Sequence, residues 1–223
     1  PLHSDAETNR TPPFRTPHRS ELPSLLALNA GFVFVGSAMD EVSILFGVGR
    51  LGFTEKEMGT VFLLAGLLDF VLQNTLLFKV VEGFPAKSVR RWSLVTYVPP
   101  LAIMPLALSR DLRLTTRVWG MALTILLRKI GSFLFAVSNT VLLNEVGRDN
   151  LAATHGKRLV TASVMQMTGP FLGSAAYAWL ATSGQWPVLG EDLVFVCAEL
   201  CVALLIAMAW ADARSGGGAA AEP

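Results

Sequence analysis

The chain has 223 residues, of which 52% are hydrophobic and 16% are Asp, Glu, Lys or Arg. A typical soluble domain is about 25% charged, and here the apolar residues form long blocks that a soluble core does not use. The composition therefore argues against a soluble domain and indicates a membrane protein. The formal net charge of +1 is uninformative by itself, and we expect no nucleic-acid partner.

The two ends of the chain differ in composition from the rest. Residues 1–21 are polar and proline-rich, and they lack the basic and then apolar pattern of a signal peptide. We interpret them as a disordered cytoplasmic linker, and residues 212–223, rich in Gly and Ala, as a disordered tail. Because the chain opens on Pro1 and not on Met, we expect a fragment of a longer protein.

Between these ends, residues 22–211 contain a series of apolar runs. A helix needs about 20 apolar residues to cross a bilayer. Runs of about this length predict six spans, at residues 22–48, 57–78, 92–108, 118–143, 157–181 and 193–210. Thr54 and Glu57 have the spacing of a capping box, which predicts that the second helix begins directly after Thr54. The expected fold is an all-α, six-helix transmembrane bundle.

The distribution of basic residues predicts the orientation of this bundle. Six spans place both termini on the same side of the membrane. That side carries eleven of the 18 Lys and Arg residues, the other side carries five, and the remaining two lie inside the fourth span. Because cytoplasmic loops are enriched in Lys and Arg, we expect both termini to be cytoplasmic.

The two cations inside the fourth span, Arg128 and Lys129, are the strongest functional signal. Charges in the middle of an apolar helix are costly, so they should face protein or water. Three acids are candidate partners, namely Asp40 and Glu41 in the first span and Asp69 in the second. An ion pair that forms in one state and is broken by protonation in another would couple proton movement to alternating access.

Structural alternatives exist for the same residues. The charged pair can be static and simply fix helix packing. Either Asp40 or Glu41 can extend to the outer interface, and Asp69 can form a structural hydrogen bond to a neighbouring helix.

The fifth span contains small residues at helical spacing. Gly169 and Gly173 are four residues apart, which allows two helices to approach closely, and Pro170 can bend the helix as a hinge. Gln166, about two turns before Gly173, is a candidate substrate contact. The cysteines and histidines have no metal-ligand pattern, so neither a metal nor a cofactor is expected.

Two segments resemble a known family. Residues 49–59 read Gly-Arg-Leu-Gly-Phe-Thr-Glu-Lys-Glu-Met-Gly, which resembles the outer loop between the seventh and eighth helices of major facilitator superfamily transporters. The hinge at 144–158, followed by Gly-Pro-Phe-Leu-Gly at 169–173, resembles the tenth-to-eleventh helix region of the drug:proton antiporter branch. The nearest type is the zinc-induced-facilitator-like one, although Lys157 and Arg158 occupy places where that family commonly has small or neutral residues.

The resemblance covers roughly residues 20–212 and implies the C-terminal half of a major facilitator fold, built as a three-plus-three inverted repeat. It implies proton-coupled movement, in the export direction, of a small organic molecule across a plasma or vacuolar membrane. It also implies a missing N-terminal six-helix half, covalent or associated.

The sequence leaves two other interpretations of the function open. A six-span membrane enzyme is disfavoured because the sequence contains neither His-Glu-x-x-His nor Gly-x-Ser-x-Gly. The alternative is a truncated, non-transporting six-span membrane protein that acts as an interaction partner or receptor.

Overall fold

The computed structural model describes residues 21–75, 79–80, 83–108, 111–182 and 192–215. These residues form six long helices and, within the same ranges, no strand. The helices are α1 (Glu21–Gly49), α2 (Glu55–Thr75), α3 (Ala86–Ala107), α4 (Leu114–Val146), α5 (Leu151–Thr182) and α6 (Asp192–Ser215), with a 3₁₀ turn (Arg148–Asn150) between α4 and α5. The all-α class predicted from the sequence is confirmed.

The helices extend further than the apolar runs that predicted them. α3 begins at Ala86, so Arg90 and Arg91, predicted in a connection, are helical. α4 continues to Val146, and little more than a 3₁₀ turn separates it from α5, so the two helices extend into both ends of the segment 144–158 that was expected to be a hinge. The reason is that charged residues end an apolar run without ending the hydrogen-bonded backbone.

Parts of three predictions fall outside the described residues. These parts are residues 1–20 of the predicted linker, residues 76–78 of the second predicted span, and residues 216–223 of the predicted tail. α6 itself continues through Asp212 to Ser215.

Among the described residues, four helices are long and apolar enough to cross a membrane. They are α1, α2, α4 and the Asp192–Asp212 part of α6. Their outward faces carry large apolar side chains, such as Leu63, Phe70 and Leu204, each more than half exposed. Exposed apolar area on this scale is unfavourable in water and suits a lipid environment. The structure thus indicates an integral membrane protein.

α1 and α4 form the centre of the bundle. α1 packs most extensively against α5 and also contacts α4 and α6, while α4 packs against α3 and α2, and α3 against α6. The rings of Phe32 on α1 and Phe135 on α4 stack with centroids 4.1 Å apart, and Tyr97 of α3 meets Phe32 edge-on at 5.1 Å. Both central helices therefore have long buried faces, whereas α2 and α5 bury only a few residues.

The start of α2 has the predicted capping box. The Thr54 backbone amide donates to Glu57 Oε2 at 2.7 Å, and the Glu57 amide donates to Thr54 Oγ1 at 3.4 Å. Two of the amide groups that a helix N-terminus leaves unpaired are satisfied in this way. Gly52 precedes the box with a φ of 68°, a left-handed conformation that glycine adopts without strain. The prediction from the Thr54–Glu57 spacing is confirmed.

Polar contacts fix one end of the bundle. Arg90, at the start of α3, lies 3.5 Å from Asp212 near the end of α6, and Ser24 of α1 donates to the same carboxylate at 2.8 Å. Lys87 and Glu21 form a further pair at 3.6 Å. The beginnings of α1 and α3 and the end of α6 are therefore neighbours, as expected when successive helices alternate in direction.

Candidate functional site

A charged cluster centred on Asp40 joins α1 to α4. Asp40 Oδ1 accepts a hydrogen bond from Arg128 Nη2 at 2.8 Å, and Oδ2 accepts one from Lys129 Nζ at 2.8 Å. Arg128 also donates from Nη1 to the Met39 carbonyl oxygen at 2.8 Å. One carboxylate on α1 is thus shared by two adjacent cations on α4.

The two cations differ in their surroundings. The Arg128 side chain is 2% exposed, whereas those of Lys129 and Asp40 are 43% and 46% exposed. A buried guanidinium is tolerated only where an anion and hydrogen-bond acceptors compensate for its lost hydration. The buried Arg128 therefore depends on Asp40 more strongly than the half-exposed Lys129 does.

The other two predicted acids lie away from this cluster. Glu41 is half-buried and forms no ion pair with any described residue. Asp69 Oδ2 accepts a hydrogen bond from Gln73 Nε2 at 2.9 Å within α2. Of the three candidate partners for Arg128 and Lys129, the structure brings only Asp40 to them.

A second polar contact joins α1 and α4 at another level. Asn139 Nδ2 donates to Asn29 Oδ1 at 3.2 Å, and both side chains are buried. Asn29 precedes Asp40 by eleven residues, and Asn139 follows Arg128 by eleven. Eleven residues make about three helical turns, or roughly 16 Å, so the two contacts lie on one face of an antiparallel helix pair. Sequence reasoning missed Asn29 and Asn139, although this matched spacing is a signal that could have found them.

A cavity of about 310 Å³ lies between α1, α4 and α5. Its apolar lining comes from Phe32, Val33, Phe135, Ala136 and Ala162, and its polar lining from Asn29, Ser37, Asp40, Ser132, Arg158 and Gln166. This volume lies at the lower end of the range for small-molecule sites, which typically combine aromatic and aliphatic side chains with polar groups.

The cavity wall contains both a residue that the sequence predicted as a site residue and one that it did not. Gln166, the candidate substrate contact, is an exposed residue on its wall. Arg158 was noted only as a departure from the family pattern, yet it lines the same cavity and donates from Nη1 to Thr140 Oγ1 at 2.7 Å. Its role depends on how α5 packs, which no local sequence signal reveals.

The small residues of α5 lie where this helix meets α1. A Cβ atom at Gly169 would overlap Ser37 Oγ and lie 2.8 Å from the Phe34 carbonyl oxygen, and one at Gly173 would lie 3.0 Å from Ala38 Cβ. Ser37 Oγ also donates to the Met165 carbonyl oxygen at 3.2 Å, across the same contact.

Pro170 lies inside α5, and the helix runs on from Leu151 to Thr182. A proline has no amide hydrogen to donate to the carbonyl four residues earlier, that of Gln166. The usual backbone hydrogen bond from residue 170 to the Gln166 carbonyl is therefore missing in this cavity-lining turn.

No group of three or more potential metal ligands occurs in the described part of the chain. Cys197 and Cys201 are exposed free thiols on α6.

No protein-family model matches this chain, and no curated protein or solved structure matches it significantly.

Proposed function

We propose that this chain is the C-terminal six-helix half of a proton-coupled secondary transporter of the major facilitator superfamily, in the zinc-induced-facilitator-like part of the drug:proton antiporter branch. Its activity is the movement, in the export direction, of a small organic molecule by alternating access. The observation that carries the proposal is the Asp40 carboxylate, which lines a cavity and is at the same time held by Arg128 and Lys129.

The packing pattern of the helices supports an inverted repeat. Exchanging α1, α2 and α3 for α4, α5 and α6 leaves the main contacts of the bundle unchanged. The pair α1–α5 becomes α4–α2, the pair α1–α6 becomes α4–α3, and the pairs α1–α4 and α3–α6 map onto themselves. A three-plus-three inverted repeat is expected to have this symmetric contact pattern. Its substrate site lies between the two repeats.

The geometry at Asp40 supports a specific coupling step. A proton that reaches the carboxylate through the cavity removes its charge, and both cations then lose their anionic partner. Arg128, which is buried, is left uncompensated, so the contact between α1 and α4 is destabilised. Movement to a state in which Arg128 meets water or substrate relieves this cost, and loss of the proton on the other side restores the ion pairs.

The outer faces of α2 and α5 suit a second six-helix half. Phe62 and Leu67 of α2, and Met167, Phe171 and Trp179 of α5, are large apolar side chains with exposures from 41% to 78%. With the basic bias of the sequence, the proposal places both termini in the cytoplasm and the bundle in a plasma or vacuolar membrane.

The same exposed faces favour the alternative, a non-transporting membrane protein that binds another membrane protein. The two functions differ in whether protons move with a compound.

The test uses the full-length parent in proteoliposomes that contain a pH-sensitive dye. A library of small organic compounds is added, and compound-driven proton movement is recorded. We expect such movement in the wild type and a loss of at least about tenfold in Asp40→Asn, normalised to inserted protein. Glu41→Gln is the matched control, because it removes the same charge from the adjacent position of α1, and it should retain the signal.

Two results would contradict the proposal. One is a wild type that moves no protons with any compound, as the binding alternative requires. The other is a signal that Asp40→Asn leaves unchanged.

A further inference from the structure

Arg158 is a cation on the cavity wall that has no acidic partner among the described residues. Its one hydrogen bond from the guanidinium goes to the neutral Thr140 hydroxyl at 2.7 Å, and no ion pair involves it. It is the eighth residue of α5 and so lies roughly 10 Å along that helix. A half-buried guanidinium without an acidic partner needs water or an anion beside it.

The charges around the cavity do not balance. Asp40 is the only carboxylate among the described residues that line it, and both oxygens of Asp40 already accept hydrogen bonds from Arg128 and Lys129. Arg158 adds a further positive charge to the wall. Among the described residues, these three cations and one carboxylate sum to a net charge of +2, and the amide and hydroxyl groups on the wall are neutral.

This imbalance disfavours a cationic ligand and favours an anionic one. A cation would compete with Arg128 and Lys129 for Asp40 and would be repelled by Arg158. A carboxylate would find the guanidinium of Arg158 available for a two-point hydrogen bond, the geometry that arginine offers to planar anions.

We propose that the cavity binds a small organic anion, with its carboxylate on Arg158 and its apolar body against the aromatic wall. The stacked rings of Phe32 and Phe135 lie on that wall, and Gln166 supplies a neutral hydrogen-bonding group beside the bound molecule. The anion also offsets the positive charge that protonation of Asp40 exposes. This inference rests on the proposed function, because it names the class of compound that the same cavity carries.

The first experiment compares ligands of one shape and three charges. The full-length protein in lipid nanodiscs is titrated with small aromatic and aliphatic carboxylates, 2-naphthoate among them, and with the amide and the amine of each skeleton. We expect at least one carboxylate to bind about tenfold more tightly than its amide, and the amine more weakly still. Preferred binding of the amines, or no binding by any carboxylate, would overturn the proposal.

Variants of Arg158 test whether the preference for carboxylates arises at this residue. Arg158→Gln should reduce the carboxylate preference to about twofold or less, and Arg158→Lys should retain part of it, because lysine keeps the charge without the planar fork. Lys157→Gln is the matched control, since Lys157 is exposed, adjacent in sequence and absent from the cavity wall. A preference that survives in Arg158→Gln would show that the anion binds elsewhere.

A second experiment needs no ligand. In a variant lacking Cys197 and Cys201, Ser132→Cys places one thiol on the cavity wall. It is treated separately with an anionic and a cationic methanethiosulfonate reagent. We expect the ratio of anionic to cationic rates to exceed that of a free thiol, and to fall when Arg158→Gln is added. A ratio equal to that of a free thiol, or no reaction at all, would contradict a positively charged, water-accessible cavity.

The two proposals fail in different ways. If carboxylates bind in a way that depends on Arg158 but no compound drives proton movement, the anion site is supported and the transporter proposal is contradicted. If amines drive proton movement but no carboxylate binds, the transporter proposal is supported and the anion site is contradicted.

Discussion

Arg128 and Lys129 are neighbours in sequence and share one carboxylate, but they should respond differently to its loss. Without Asp40, the guanidinium of Arg128 stays 2% exposed and has no anion, and removing one partner of a buried pair costs about 3–5 kcal/mol. We expect Asp40→Asn to lower the free energy of unfolding by up to about this amount. Lys129→Gln removes a half-exposed partner and should cost about 1 kcal/mol or less. Unfolding in detergent micelles measures both changes.

The double variant Asp40→Asn/Arg128→Gln separates the charge effect from a loss of packing. It removes the buried cation together with its partner, so it should recover most of the stability lost in Asp40→Asn. Equal losses in Asp40→Asn and Lys129→Gln, or no recovery in the double variant, would show that Arg128 does not depend on Asp40.

At the scale of single helices, the close contact between α1 and α5 depends on small residues. A methyl group at Gly169 would meet Ser37 Oγ and the Phe34 carbonyl oxygen, the latter at 2.8 Å, and neither helix backbone can yield without losing other contacts. We expect Gly169→Ala to destabilise the protein by about 1–3 kcal/mol, the usual cost of overpacking. The midpoint of thermal unfolding in micelles reports the change.

Gly156→Ala is the control on the same helix. A Cβ atom there meets nothing within 4 Å, and alanine favours a helix over glycine by about 1 kcal/mol. This variant should be neutral or more stable. If Gly169→Ala behaved in the same way, the close approach of α1 and α5 would not contribute to stability.

For the whole molecule, α1 should place its two ends on opposite sides of a membrane. Glu21 lies at the first end and Glu55 follows the second after a short loop, while Asp149 lies between α4 and α5. In a variant without Cys197 and Cys201, single cysteines at these three positions are labelled with an impermeant maleimide in sealed vesicles. We expect positions 21 and 149 to react from one side and position 55 from the other. Labelling of positions 21 and 55 from the same side would contradict the crossing of α1.

Much of the helical architecture was predictable from the sequence, but only part of the site was. The long apolar runs around Phe32 and Phe135 located helices correctly, and Thr54 with Glu57 fixed a helix start to within one residue. Such signals are local, since they arise from hydropathy and from groups three residues apart. The choice of Asp40 over Glu41 was not local, because it depends on the antiparallel register of α1 against α4.

The sequence by itself determined that this protein is helical and apolar enough for a membrane, because a backbone in hydrocarbon must satisfy its hydrogen bonds within each segment. It also identified Arg128 and Lys129 as cations that need a partner. Only the tertiary structure decided which carboxylate that partner is, and only it placed Arg158 on the wall of the same cavity. The physical reason is that ion pairs and cavities form between helices, where packing brings together side chains that lie more than eighty residues apart.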